Sequence, residues 1–350
     1  MATLRQEIDA LLDRLEPTVA AAFREAIDDI KSNIVLREVV ERLERRDIEG
    51  AVEALNIEGA AFRQLDEAIR QAYNAGGSLA AEWMPRLTDP MGNRVVFRWD
   101  ARNQAAEAQL RDISSQLITG VVEDTRTAVR EAMVEGYAQG QGPRTIALDI
   151  VGRQNRITGK REGGFVGLNG PQTALIIRTR DNLLSGEPAR MRKYLELKTR
   201  DKRLDGVVRR AIETGKPLDA QTLEKLLARL RDRNLRLRGE TIARTETFMS
   251  VAAARDTAYR QALAKANRDE SLVTRIWRSA GDGRVRHTHM VLNAQEVTGM
   301  DLPFQSPSGA LLRYPGDTSL GAGPAEIINC RCSIEYNFDF AEAYARSRGR

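Results

Sequence analysis

Apolar residues recur every three or four positions over most of the chain, which is the pattern of amphipathic helices. The first such stripe covers residues 4–23, and Pro17 within it predicts a kink or the start of a second helix. Further stripes cover residues 110–132, 223–238 and 239–266. The sequence therefore predicts a chain built mainly from helices.

Three short segments have the composition of strands instead, at residues 95–99, 275–280 and 332–338. Aromatic residues make up only 5% of the chain, so the cores must consist mainly of aliphatic side chains, which favours helices over sandwiches or barrels. We predict a mainly α-helical protein with a small α+β C-terminal domain.

Charge divides the chain into three segments. Residues 1–140 carry a net charge of −8, residues 141–240 carry +11 and residues 241–350 carry +2, within a total of +5. We predict an acidic, mainly helical N-terminal domain, a basic helical segment and the α+β C-terminal domain within these bounds. The basic segment indicates a polyanion or an acidic protein surface as partner, unless its charges form a solvated helical face.

A Gly-rich, basic stretch covers residues 151–172 of the middle segment. A loop of this length indicates a functional or mobile element. It does not match a nucleotide-binding P-loop, because six residues separate Gly152 from Gly159 and Arg161 follows Lys160 where a serine or threonine is needed. A hinge, or an arm lying on a polyanion, is the remaining interpretation.

The basic segment supplies the candidate DNA-binding residues. Phosphate contacts require positive charge and little sequence specificity, which suits duplex DNA of any sequence. The alternative is pairing with acidic groups of this chain or of a partner protein. The candidates are Lys160, Arg161, Arg203, Arg209, Arg210, Arg231, Arg233, Arg236 and Arg238.

Composition excludes several classes of protein. No run of about 18 apolar residues occurs, so we expect no membrane span. Acidic residues interrupt the first ten positions, so we expect no signal peptide and folding in a cytoplasm. The two cysteines, Cys330 and Cys332, are too close in sequence to form a disulfide framework.

The C-terminal third carries an ordered series of short motifs. These are ARTE at 243–246, Trp277, an aspartate-to-histidine element at 282–289, PGD at 315–317 and NCRC at 329–332. In this order and spacing the series resembles the phage Mu F-like family of minor head proteins, also called head morphogenesis proteins. The matching residues to which we assign structural roles on this resemblance are Arg244, Glu246, Trp277, Asp282, Arg286, His289, Pro315, Gly316, Asp317, Asn329 and Arg331.

The resemblance implies a virion component that is made in the host cytoplasm and lies inside the head near the portal vertex. Its expected partners are the portal protein, the major capsid protein or both, together with packaged double-stranded DNA. Its expected role is in head assembly, with help in DNA packaging or ejection. Two other functions stay open: an enzyme, either a hydrolase or a transferase, and an assembly chaperone that is absent from the virion.

His289, Cys330 and Cys332 could bind Zn²⁺, because thiolates and imidazoles are its preferred ligands. Asp282 or His287 would supply the fourth ligand. If the two cysteines lie in a strand, however, their sulfurs are about 6.6–7 Å apart. The alternative is two small buried side chains in a strand and a histidine hydrogen-bonded to a carboxylate.

Asp282, Arg286 and His289 would share one face if their segment is helical. They would then form either a polar cluster with an acid–base histidine or an ion-paired cluster that fixes a turn. Arg244 and Glu246 are adjacent in the entering helix and are expected to clamp the C-terminal domain through separate partners. The chain has only two histidines and no marked nucleophile with an activating base, so we predict that it is not an enzyme.

Overall fold

The computed structural model describes residues 2–348 and is dominated by helices. The helices are α1 Leu4–Asn33, α2 Leu36–Glu44, α3 Ile48–Glu53, α4 Arg63–Trp83, α5 Gln104–Ala138, α6 Pro143–Val151, α7 Gly170–Leu184, α8 Pro188–Glu196, α9 Asp205–Thr214, α10 Ala220–Lys265, α11 His287–Val291, α12 Pro324–Ile327 and α13 Phe340–Ser347. Pro17 lies inside α1 and does not end it. No helix of the described chain is long and apolar enough to cross a membrane.

The strands are short and most of them follow α10. They are β1 Arg153–Gln154, β2 Arg161–Glu162, β3 Val273–Arg278, β4 Glu296–Thr298, β5 Phe304–Gln305, β6 Leu311–Leu312 and β7 Ser333–Phe338. A three-stranded antiparallel sheet has the order β4-β3-β7, and two hairpins, β1-β2 and β5-β6, stand apart from it. The predicted fold class, mainly α-helical with a small α+β region at the C-terminus, is confirmed.

One predicted strand is wrong. Residues 95–99 form no strand, and the only pairing in that stretch of the described chain is an isolated bridge between Thr88 and Arg94. The side chain of Trp99 packs against Tyr73 of α4 instead, with the ring centroids 5.7 Å apart. Trp99 therefore covers a helix, whereas Val96, one of the β-branched residues that suggested a strand, is exposed.

The described chain divides into two compact units, each assembled from separate stretches. The first contains residues 1–20, 66–116 and 240–350, and the second contains residues 21–65 and 117–239. Each unit contains residues from more than one of the three segments defined by net charge, 1–140, 141–240 and 241–350. Whether those segments act as separate functional parts stays a prediction.

The sheet forms the core of the C-terminal part of the first unit. Its centre is β3, which pairs with β7 over its whole length, so that Trp277 is opposite Ile334 and Arg275 is opposite Tyr336. Trp277, Arg275 and Ile334 are buried. Tyr336 of the sheet stacks on a tyrosine of α10, and Trp277 packs against Phe304 of the β5-β6 hairpin, so the sheet buries its apolar residues against both a helix and that hairpin.

The Gly-rich stretch is ordered within the second unit. Its first half forms the hairpin of β1 and β2, and residues 163–168 are buried. Asn169 then caps α7, accepting a hydrogen bond from the backbone of Gln172 at 3.1 Å while the Gln172 side chain returns to the backbone of Asn169. Of this stretch, only the β1-β2 hairpin is exposed enough to act as the arm that the sequence suggested.

Candidate functional site

Two cysteine sulfurs and one histidine nitrogen meet in the C-terminal sheet region. His289 lies in α11, which follows β3, and both cysteines lie in the loop between α12 and β7. The Nδ1 atom of His289 is 3.4 Å from Cys330 Sγ and 3.5 Å from Cys332 Sγ, and all three ligand atoms lie within 4.8 Å of one another. The cysteines precede the strand instead of lying in it, so the expected 6.6–7 Å separation of their sulfurs along a strand is wrong.

The other ring nitrogen of His289 faces a carboxylate. Its Nε2 is 2.8 Å from Glu326 Oε2. Glu326 also accepts hydrogen bonds from Ser308 at 2.8 Å and from Thr288 at 3.1 Å. Burial would raise the pKa of Glu326, but the hydrogen bond from Ser308 and the neighbouring His289 outweigh it and hold that pKa below its usual value. Glu326 therefore lies beside Nε2, on one side of the imidazole ring, and Nδ1 faces the sulfurs on the other.

The cluster is sealed from solvent. Cys330 and Cys332 are each 3% exposed and His289 is 1% exposed. The ring of Trp277 meets that of His289 edge-on at 5.1 Å and that of Phe304 at 5.4 Å. The two thiols interact: their mutual hydrogen bond raises the pKa of Cys330 and lowers the pKa of Cys332.

A thiol, an imidazole and a carboxylate in a row are also the arrangement of a catalytic cysteine. The cavity beside Cys332 has a volume of about 10 Å³, which is the room of about one water molecule. The thiols thus have no adjacent space for a substrate in the described structure.

The predicted helical face of Asp282, Arg286 and His289 does not form. The helix begins only at His287, and Asp282 lies in the turn before it. Asp282 instead binds Arg331 through two hydrogen bonds of 2.6 and 2.7 Å. That contact holds the pKa of Asp282 well below its usual range.

Arg286 makes the second connection to the same loop. It donates to the backbone oxygens of Ala325 and Ile328, both at 2.5 Å. The interpretation as a cluster that fixes a turn is therefore the one that the contacts favour. Neither residue proposed as a fourth metal ligand joins the three: Asp282 is paired with Arg331, and His287 is exposed.

The ARTE and NCRC motifs meet. Arg244 donates to Asn329 Oδ1 at 3.1 Å, and the backbone N–H of Asn329 donates to Thr245 Oγ1 at 3.2 Å. Arg244 also approaches Glu16 at 3.9 Å. Burial raises the pKa of Glu246 to about 7. Residues of both motifs thus join the helix α10 to the loop before β7.

The PGD motif forms a turn against α10. Gly316 has φ of +90°, and a Cβ there would lie 3.0 Å from Met249 Cγ and 3.3 Å from Phe248 Cε1. Asp317 is buried and accepts hydrogen bonds from Arg313 and Ser319. The motif therefore needs glycine for both backbone conformation and space.

Two residues that organise this region, Glu326 and Arg275, were not among the predicted site residues. Glu326 lies only four positions before Cys330, and its place in the EIINCRC run is the signal that could have pointed to it. Arg275 is fully buried in β3 and donates to the backbone oxygens of Gly299 and Arg313, each at 2.6 Å, and of Leu302. An arginine between apolar strand residues gives no such indication in a single sequence.

Two of the candidate DNA-binding residues are buried. Arg231 is 2% exposed and binds the backbone oxygen of Gly163 and the carboxylate of Glu224. Arg238 is 5% exposed and binds the backbone oxygen of Gly167 and the carboxylate of Asp124. Their guanidinium groups are used inside the second unit, so the structure corrects the candidate set by removing both.

The other candidates lie nearer the surface. Lys160 pairs with Asp28 at 2.7 Å, and Arg203 and Arg233 both pair with Asp201, at 2.8 and 3.3 Å. Arg161 donates to the backbone oxygen of Gly152. The three that are exposed and make no ion pair within residues 2–348 are Arg209, Arg210 and Arg236.

Comparison with known proteins gives a family match. The family model described as Phage Mu protein F like protein matches residues 202–335, a range that includes every motif of the C-terminal series. No curated protein and no solved structure matches the chain. The resemblance that the motifs predicted is confirmed over the matched residues.

Proposed function

Because residues 202–335 are a Phage Mu protein F like region, we propose that this protein is a minor head protein of a phage, located inside the head at the portal vertex. The family supports the broader assignment to phage head morphogenesis and a structural role. The portal protein, the major capsid protein or both are the partners we propose, with packaged DNA as a further contact.

The observation that carries this proposal is the convergence of the family motifs. Contacts of Asn329 with Arg244 and of Arg331 with Asp282 join three motifs that lie far apart in the sequence. A set of residues that holds one loop in place, without an accessible nucleophile, suits a protein that works by binding. This supports assembly over the hydrolase or transferase alternative.

Quantitative mass spectrometry of gradient-purified virions and empty proheads tests the location. We expect a few copies per particle in both. Presence in proheads alone would support a chaperone that leaves on maturation. Absence from both particles would contradict the virion role and favour the enzyme.

Direct DNA contact is the finer part of the proposal. It is supported by the net charge of +11 on residues 141–240 and by the exposure of Arg209, Arg210 and Arg236. Phosphate contacts release counterions, so we expect weak binding to any duplex that falls steeply with salt. Binding that is equal at low and moderate salt would contradict it.

A pair of charge variants makes the DNA test specific. Arg209→Gln combined with Arg210→Gln should lower the slope of log K against log salt by about 1 to 2. The matched control is Arg45→Gln with Arg46→Gln, another adjacent exposed pair, in the acidic N-terminal segment. Equal slopes for the two variants would show that residues 209 and 210 do not contact phosphates.

A further inference from the structure

The sulfur and nitrogen atoms around His289 have the spacing of a metal coordination sphere. Zinc bonds of about 2.3 Å to sulfur and about 2.0–2.1 Å to nitrogen, arranged as a tetrahedron, place sulfur and nitrogen about 3.5 Å apart. The two Nδ1–Sγ distances here are 3.4 and 3.5 Å. Both sulfurs therefore lie where they would share one ion with the ring.

The surroundings of the ring support the same conclusion. A metal-binding histidine commonly donates its other N–H to a carboxylate, which fixes the tautomer that leaves the ligating nitrogen unprotonated. Glu326 is 2.8 Å from Nε2 and is itself held by Ser308 and Thr288. Because its carboxylate lies on the far side of the imidazole from the sulfurs, Glu326 orients the ligand and is not one itself.

A purely apolar role for these side chains explains the site less well. Both thiols face one imidazole nitrogen, which has a single lone pair in the neutral ring, so only one of them can donate to it and the other is left with the neighbouring sulfur, a weak acceptor. All three residues are buried, so water does not compete for them. A soft cation would satisfy both sulfurs and the nitrogen at once.

We propose that His289 Nδ1, Cys330 Sγ and Cys332 Sγ bind one Zn²⁺ ion, with Glu326 as the residue that positions His289. The described residues supply three ligands, and the fourth coordination position would be filled by a ligand that is not among them. The ion would tie α11 to the loop before β7 and so hold the NCRC motif against the rest of its unit. This inference does not depend on the proposed function.

Cobalt substitution of the full-length protein tests the site directly. Cys330 and Cys332 are the only cysteines of the chain, so a thiolate-to-cobalt charge-transfer band can arise only from them. We expect that band, tetrahedral visible bands and one Co²⁺ per folded chain, all lost when Zn²⁺ is added in equal amount. A folded protein that takes up neither ion, or cobalt without a thiolate band, would overturn the proposal.

Variants separate the ligands from the positioning residue. Cys332→Ser should abolish the charge-transfer contribution of that sulfur and weaken Zn²⁺ binding strongly, whereas Glu326→Gln should keep the band and weaken binding about 10- to 100-fold. His287→Gln is the matched control, since His287 is the only other histidine and is exposed. Its Zn²⁺ affinity should equal that of the wild type, and a loss as large as in Glu326→Gln would contradict the assignment.

If a cysteine variant does not fold, the melting temperature of the wild-type protein with and without metal still tests the site. Removing the metal with a chelator should lower the melting temperature, and adding back Zn²⁺ should restore it, because a ligand that binds only the folded state stabilises it. Mg²⁺ at the same concentration should have no effect, since it prefers oxygen ligands. A melting temperature that is unchanged by chelation and by added Zn²⁺ would count against the site.

Discussion

Buried arginine side chains connect distant parts of the backbone in this protein. Arg275, Arg231 and Arg238 are all buried, and each donates to backbone oxygens of segments distant in sequence. The planar guanidinium group offers five donors and stays charged, so one side chain can satisfy several carbonyl groups that have no strand partner.

We predict that Arg275→Lys lowers the free energy of unfolding by about 3 kcal/mol. An ammonium group cannot reach the oxygens of Gly299, Leu302 and Arg313 together, and it leaves at least one buried acceptor unpaired. Urea unfolding measures the change. Arg278→Lys is the control in the same strand, and its exposed pair with Glu335 should make it nearly neutral. Equal effects of the two variants would show that the hydrogen bonds of Arg275 do not stabilise the fold as predicted.

Asp282 should make stability depend on pH. Its contact with Arg331 holds its pKa in the folded protein below the value of about 3.9 in the unfolded chain. The stabilisation is therefore fully present above that unfolded value and is lost as pH falls through the folded pKa. Asp282→Asn should be less stable than the wild type at pH 7, and the difference should shrink below about pH 4. Urea unfolding at several pH values checks this, and a constant difference would argue against the ion pair.

At the scale of elements, α4 and α10 approach closely at one glycine. A Cβ on Gly76 would lie 2.7 Å from Val251 Cα and 2.8 Å from its carbonyl oxygen. Backbone atoms cannot move aside as a flexible side chain can. The absence of a side chain at this position therefore sets the distance between the two helices.

We expect Gly76→Ala and Gly120→Ala to change the stability of the folded protein in opposite directions. Both glycines lie inside helices, where alanine is intrinsically favoured by up to about 1 kcal/mol. Gly120 has open space around it, so that substitution should stabilise the protein, whereas Gly76→Ala should destabilise it through the clash with Val251. Thermal unfolding of the two variants compares them, and stabilisation by both would show that the helices can separate at little cost.

Periodicity predicted the elements that pack through one continuous apolar face. The stripes at 4–23 and 110–132 correspond to α1 and α5, and the strand at 275–280 is observed as Val273–Arg278. The strand predicted at 95–99 does not form because the segment pairs with no other strand: Trp99 packs on α4 and Val96 is exposed. Pairing partners are long-range, and a local pattern does not contain them.

The sequence predicted which residues belong to the candidate site but not their geometry. Cys330, Cys332 and His289 were identifiable from residue type. Their convergence depends on a turn in the chain before β7 rather than a regular strand, where Asn329 has φ of +56°. The role of Glu326 depends on the serines of a separate segment, which no spacing rule connects to it.

On the scale of the whole molecule, the C-terminal motif region is not built from its own residues alone. Its unit also includes residues 1–20 and 66–116. Gln109 of α5 hydrogen-bonds to Tyr314, and Arg268 binds the backbone oxygens of Thr88 and Asp89. The matched family region therefore depends on the first third of the chain for part of its core.

We predict that a fragment of residues 241–350 does not fold cooperatively. Tyr314 is buried and its hydroxyl would lose Gln109, and the side chain of Arg268 would lose two acceptors. Near-UV circular dichroism and limited proteolysis compare the fragment with the intact chain, which serves as the folded control. A fragment with sharp thermal unfolding would contradict this dependence.

The edge-on contact between Trp277 and His289 gives the molecule an optical reporter. Indole emission responds to charge and to heavy or paramagnetic ions within a few ångströms, and these rings are 5.1 Å apart between centroids. The chain has two other tryptophans, Trp83, which is exposed, and Trp99. Replacing both with phenylalanine would leave a single buried emitter beside the sulfurs. Changes at that cluster could then be followed in real time by fluorescence, during folding and during assembly into a particle, without an attached dye.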